Sequence, residues 1–226
     1  MGVLRTRGFP LLLAGETVNA TGNWIAVIAI WGFAAFKFDA GPSDLALLFV
    51  VLSLPGALLG PLLGVPIDRL GPKRTLIVAN LLGVLDALAL TQADSYRQIV
   101  LLALPLGLIE AFAAASLDSI PPRLVASEQL VAANALLGGA QDVAIVFGPL
   151  LAAVVNEQWG ISGAFIADAA TFAVGALVAL TIAIEPQPRN EERDTTWREL
   201  RDGFVLARRT AGLRWTLVVV ASVYLL

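Results

Sequence analysis

Six apolar runs, at about 9–36, 45–67, 75–93, 98–119, 131–155 and 161–184, fill most of this sequence, with short polar stretches between them. Each run is near or above the roughly 20 residues that a helix needs to cross the hydrocarbon core of a bilayer. Backbone inside that core must satisfy its own hydrogen bonds, so helices packed side by side are the expected solution. Composition agrees with this reading, because 15% of the residues are charged where soluble domains have about a quarter. The expected fold class is therefore an all-α polytopic membrane protein.

The runs divide the chain into three parts. Residues 1–185 form a six-span bundle, 186–212 a polar cytoplasmic linker, and 213–226 an incomplete seventh span of 14 residues. Pro186 and Pro188 end the sixth run. In the linker, Thr196 and Glu199 form a capping-box pattern, and Trp197, Leu200 and Phe204 share one helical face. That pattern predicts an amphipathic helix on the inner membrane surface.

Charge sets the orientation. With the N-terminus inside, 13 of the 15 Lys and Arg residues fall in the cytoplasm, and only Lys37 and Arg97 lie outside. This positive-inside bias predicts a multi-pass protein of the cell membrane with a cytoplasmic N-terminus. The first run is longer than the apolar region of a signal peptide, so it reads as an uncleaved span.

Several function classes are excluded. The sequence has no Cys and no His, which removes disulfides, thiolate metal sites and imidazole catalysis. It has no phosphate-binding Gly-rich loop, zinc-ligand pattern or nucleophile elbow, so neither an enzyme, a cofactor nor a metal is expected. Its basic clusters are short and juxtamembrane, which gives nucleic-acid binding no support.

Glu16, Asp86, Glu110, Asp142 and Asp168 all fall within the runs, and a charge at mid-bilayer costs about 3 kcal/mol. No Lys or Arg lies deep in the six runs. The carboxylates must then be protonated, turned to a water-filled cavity, or waiting for a cation, and each option points to a transport pathway. Helical spacing places Glu16, Asn19 and Asn23 within about 60° on the first run. On the fifth, Asn134, Gly138, Gln141 and Gly148 share a face, and on the sixth Asp168, Thr171 and Gly175 share another. Glu16, Asn19, Asn23, Glu110, Gln141, Asp142 and Asp168 are the candidates for a substrate or ion pathway. Helix adhesion by hydrogen bonding is the competing role for the Asn, Gln and Thr members.

Between the second and third runs lies a polar hinge, Gly64 to Arg74, with a turn at Gly71-Pro72. Asp68 is expected to hold a cytoplasmic gate, with Arg69, Lys73 and Arg74 setting the position of the loop. A simpler role, topology signals plus a helix-end cap, competes with it. Upstream, Gly56, Gly60 and Gly64 line one helix side at four-residue spacing, which predicts close packing. Pro55, Pro61 and Pro66 predict a bend there.

Gly64-x-x-x-Asp68-Arg69-x-Gly71-x-Lys73-Arg74 resembles the loop motif of the major facilitator superfamily. Gly148-Pro149 resembles the antiporter motif of drug exporters in that superfamily, with Ala152-Ala153 where glycines are usual. Gly22-Asn23-Trp24, Pro122-Arg123-Leu124-Val125, Ala132-Ala133-Asn134-Ala135-Leu136 and the stretch from Trp197 to Phe204 are similar to exporters of the enterobactin and macrolide type. Asn23 stands where that subgroup often has Asp, and Glu110 lies in the fourth run, which lacks the arginine of the proton-coupling motif. The resemblance implies two six-span halves built of inverted three-span repeats, with substrate held between the halves. This chain would then be the N-terminal half plus part of a seventh span. The implied function is secondary export of a small amphipathic or cationic molecule, drug or siderophore-like, with protons as a candidate coupling ion. Its implied partners are that small molecule, the lipid bilayer and the missing C-terminal half. A lipid transporter of the same fold and a truncated fragment without transport activity are the alternatives.

Overall fold

The computed structural model describes residues 2–184, so the expected linker helix and seventh span lie outside the described residues. The helices are α1 Phe9–Lys37, α2 Pro42–Leu70, α3 Pro72–Leu90, α4 Tyr96–Asp118, the single turn α5 Pro121–Leu124, and α6 Leu130–Thr181. No strand occurs among the described residues.

Local chemistry sets most of the boundaries. Pro sits in the first turn of α1, α2 and α3, where its missing N–H has no partner to lose. Asp44 Oδ2 accepts the Gly41 N–H at 3.0 Å, which closes the start of α2. At the head of α4, the Ser95 hydroxyl accepts from the Gln98 N–H. The 52-residue α6 is folded at Gly160, whose φ of 68° and ψ of −176° suit glycine alone, giving arms 130–159 and 161–181. The break falls where the sequence leaves a gap between its fifth and sixth runs.

The polar hinge is shorter than its sequence suggests. α2 stays helical to Leu70 and α3 begins at Pro72, so the junction is Gly71 alone, at φ 85°. Asp68 and Arg69 occupy the last turn of α2, and Lys73 and Arg74 the first turn of α3. The Gly71 N–H donates to Ile67 O at 2.8 Å and the Thr75 hydroxyl to Gly71 O at 3.1 Å, so the junction uses up the backbone groups that a longer loop would leave open. α2 also remains helical through Pro55, Pro61 and Pro66.

Among the described residues, four stretches are long and apolar enough to cross a membrane: Phe9–Lys37, Pro42–Gly60, Tyr96–Leu124 and Ser127–Thr181, the last containing both arms of α6. α3 does not join them, because its 19 residues include Lys73, Arg74 and Asp86. It packs against α4 and the second arm of α6 and leaves Val78, Leu81, Leu82, Leu85 and Leu88 exposed on its outer face.

Small residues bring the helices together, as expected where lipid removes the hydrophobic driving force between them. α1 packs along both arms of α6, with Gly15 against Val178, Gly22 against Thr171, and Trp24 against Gly148. Gly83 of α3 receives Phe172, and Gly107 of α4 lies on the α2 backbone at Leu52. Large apolar groups fill the remaining interior, among them Ile30, Phe165, Phe172, Leu90 and Leu106. The expected α2 glycine stripe is only partly used. Gly56 is in ordinary contact with Ala111, whereas Gly60 and Gly64 meet nothing within 4 Å among the described residues. Both are exposed, because beyond Gly56 this face of α2 turns out of the bundle.

One end of the bundle gathers the N-terminus, the α2–α3 junction, the α4–α6 connection and the end of α6. Gly8 lies beside Leu124 and Ile182, and Thr6 bonds Gln129 at 3.3 Å. At the other end, the Tyr96 hydroxyl donates to Asp44 O at 2.7 Å and joins the starts of α4 and α2.

Candidate functional site

The polar stripe of α1 makes contacts with three different neighbours. Gln141 Nε2, from the first arm of α6, donates to Glu16 Oε1 at 2.6 Å. Two turns on, Asn23 Nδ2 donates to Glu110 Oε2 of α4, also at 2.6 Å. Asn19 lies between them, buried, on a small cavity shared with Asn80 of α3. A single helix face therefore joins α6, α4 and α3.

On the second arm of α6, Asp168 is 1% exposed, and among the described residues neither carboxylate oxygen meets a hydrogen-bond partner. Its backbone carbonyl accepts from the Thr171 hydroxyl at 2.8 Å. Thr171 rests on Gly22, and Gly175 on Asn80, so the expected sixth-run stripe faces both α1 and α3. Asp86 of α3 is also buried, with Oδ2 unpaired, and Glu110 keeps Oε1 unpaired. Asp86 lies within electrostatic range of Asp168, Asp168 of Glu110, and Glu110 of Glu16. The four carboxylates lie on α1, α3, α4 and the second arm of α6, and among the described residues none of the charged groups acting on them is basic.

The remaining candidates lie outside this interior. Asp142 is exposed on α6. Gly148 packs on Trp24, and Pro149 sits inside the first arm of α6 without ending the helix. At the α2–α3 junction Asp68, Arg69 and Arg74 are exposed. Lys73 Nζ donates to Leu180 O at 2.9 Å and Ile182 O at 2.6 Å, placing a cation on the free carbonyls at the end of α6. Asn80 is the site residue that sequence reasoning missed, and Asp86, noted there among the carboxylates within the runs, is absent from the pathway candidates. Their signal was the recurrence of Asn80, Gly83 and Asp86 every three residues, a small and polar edge on an otherwise apolar helix.

Membrane-length helices packed around a carboxylate-bearing interior define a multi-pass membrane protein. The sequence matches the Major Facilitator Superfamily model over residues 12–226, and the chain belongs to that superfamily. It is similar to macrolide efflux protein A of Streptococcus pyogenes, with 27% identity over 96% of this chain and 55% of that protein. Macrolide efflux protein A of Enterococcus faecalis is 28% identical over 76% of this chain and 55% of its own length. An uncharacterized MFS-type transporter of Bacillus subtilis, YfiS, is 23% identical over 90% of this chain and half of its own. The chain thus spans about half the length of the curated relatives it matches. Among solved structures, the nucleoside transporter NupG (D323A mutant) shares the fold, with a TM-score of 0.63 and 18% identity over 88% of this chain and half of NupG.

Proposed function

We propose that this chain is the N-terminal half of a secondary exporter in the cell membrane that moves a small amphipathic or cationic molecule outward. The observation that carries the reading is the set of interior carboxylates, Glu16, Glu110 and Asp168, with no basic partner acting on them among the described residues. Helix adhesion is too weak to account for them. An interhelical hydrogen bond in a membrane contributes on average about 0.6 kcal/mol, whereas a charged group at mid-bilayer costs about 3 kcal/mol. Glu16, Asn19, Asn23, Glu110 and Gln141 would line the substrate path, and Glu110 and Asp168 would handle a proton or a cation. A partner half would complete the site. Uptake of a cationic dye into everted vesicles carrying the full-length protein tests this, with Glu110→Gln and Asp168→Asn lowering the flux at normal expression. Unchanged flux in both variants would return these residues to a packing role.

The cytoplasmic side in this reading is the end that carries Arg5, Arg7, Arg69, Lys73, Arg74 and Arg123, opposite Lys37 and Arg97. Asp68 would hold the gate there, with Arg69 and Arg74 beside it and Lys73 anchored on α6. Asp68→Asn in the full-length protein should shift cross-links between the two halves toward the pattern open to the cytoplasm and lower the flux. A normal pattern with normal flux removes Asp68 from the mechanism.

A further inference from the structure

At Glu16, α1, α3, α4 and the second arm of α6 border a small cavity lined by Glu16, Asn19 and Asn80, with Gly15 and Gly175 as its small walls. The space open to a water-sized particle is about 10 Å³, room for one. Asn80 is 1% exposed and Asn19 8%. The Oδ1 of each is buried without a hydrogen bond. The orientation of the Asn80 amide is set by Nδ2, which donates to Leu76 O at 2.8 Å, so its oxygen is the free end. That oxygen lies against Gly175, where any side chain would collide with it. Two buried amide oxygens without donors beside one carboxylate call for an explanation, and a water or an ion is the usual one.

The charge of Glu16 separates the two. Glu16 Oε1 accepts from Gln141, and Asn19 and Asn80, which line the same cavity, each keep Oδ1 without a donor among the described residues. A water can donate to both amides and accept from a protonated Glu16, whereas an ionised Glu16 offers only acceptors. A hard cation then serves carboxylate and amides together, and carboxylate and carbonyl oxygens are the ligands such ions take. Charge selects the valence. Glu16 is the one ionisable residue lining the cavity, so a monovalent ion is neutralised there and a divalent ion is not. Asp118 and Glu110, the other charged groups acting together with Glu16, are both acidic and reinforce the attraction.

We propose that Glu16, Asn19 and Asn80 bind a monovalent hard cation of sodium size inside this bundle. The binding stands by itself; a role for the ion in driving export rests on the transport reading above.

The test uses the purified chain in detergent, heated in NaCl, KCl or choline chloride at one ionic strength. Sodium should raise the unfolding midpoint in a saturable way, with half-saturation at least about tenfold lower than for potassium. Glu16→Gln, which retains the size of the side chain, should abolish the sodium response, and Gly175→Ala should weaken it by pressing on Asn80. If a variant fails to fold, the comparison of salts on the unaltered chain still decides. Equal midpoints in NaCl and choline chloride, equal responses to sodium and potassium, or a full sodium response in Glu16→Gln overturns the site. Loss of the site with dye export intact leaves the transport reading in place, and sodium binding without export does the reverse.

Discussion

Asn23 of α1 donates its amide to Glu110 of α4 over 2.6 Å, and the second oxygen of that carboxylate stays buried without a partner. α1 and α4 otherwise touch little, so this bond is the main polar link between them. Asn23→Ala should lower the stability of the bundle by about 1–2 kcal/mol, because it leaves Glu110 without its donor. In Glu110→Gln the same Asn23→Ala change should cost less. A double-mutant cycle on detergent unfolding measures the coupling, and strict additivity would show that the two side chains do not interact.

The close glycine contacts give an ordered series. Gly22→Ala places a methyl on Thr171, and Gly148→Ala places one on Trp24, each in a packed interface. Both should destabilise by about 1–3 kcal/mol. Gly138 and Gly139 meet nothing within 4 Å among the described residues, so Gly138→Ala should be neutral or slightly stabilising through helix propensity alone. Unfolding midpoints for the three variants check the order.

These contacts also mark what could be read from the sequence. The apolar runs and the gap near Gly160 were legible because length and hydrophobicity are local properties, and the helices follow them to within a few residues. Partner choice was not. Glu16, Asn19 and Asn23 share one face of α1, and nothing in their spacing says that their contacts go to α6, α3 and α4 respectively. Gly60 and Gly64 show the same limit from the other side, since a four-residue glycine repeat marks a surface able to pack closely without naming a helix to meet it. The hinge was read as a loop because its residues are polar. Charges at helix ends look the same in sequence as charges in a loop, and only Gly71 leaves the helical conformation.

Lys73 links the α2–α3 junction to the far end of the bundle sequence through Leu180 O and Ile182 O. Lys73→Met keeps most of the aliphatic stem and removes the cation, so it should cost about 1–2 kcal/mol through the two lost carbonyl contacts. Arg74→Met, at an exposed position one residue on, should stay within about 0.5 kcal/mol. Denaturant unfolding of both variants in detergent separates a cap from a general charge effect, since the latter would make the two losses equal.

Orientation in the membrane gives the last prediction. The chain contains no cysteine, so single introduced thiols report without background. Ser43 and Arg74 are both exposed and lie at opposite ends of α2 and its junction with α3. With Arg5, Arg7, Arg69, Lys73, Arg74 and Arg123 gathered at one end, the positive-inside rule places that end in the cytoplasm. A membrane-impermeant maleimide added to intact cells should therefore label Ser43→Cys and spare Arg74→Cys, and everted vesicles should reverse the pattern. Arg74→Cys removes a charge from the signal being tested and Thr75 is buried, so Asp68→Cys, which retains every cation, serves as the second inside probe. Labelling of Asp68→Cys from outside intact cells would invert the topology and, with it, the assignment of the α2–α3 junction to a cytoplasmic gate.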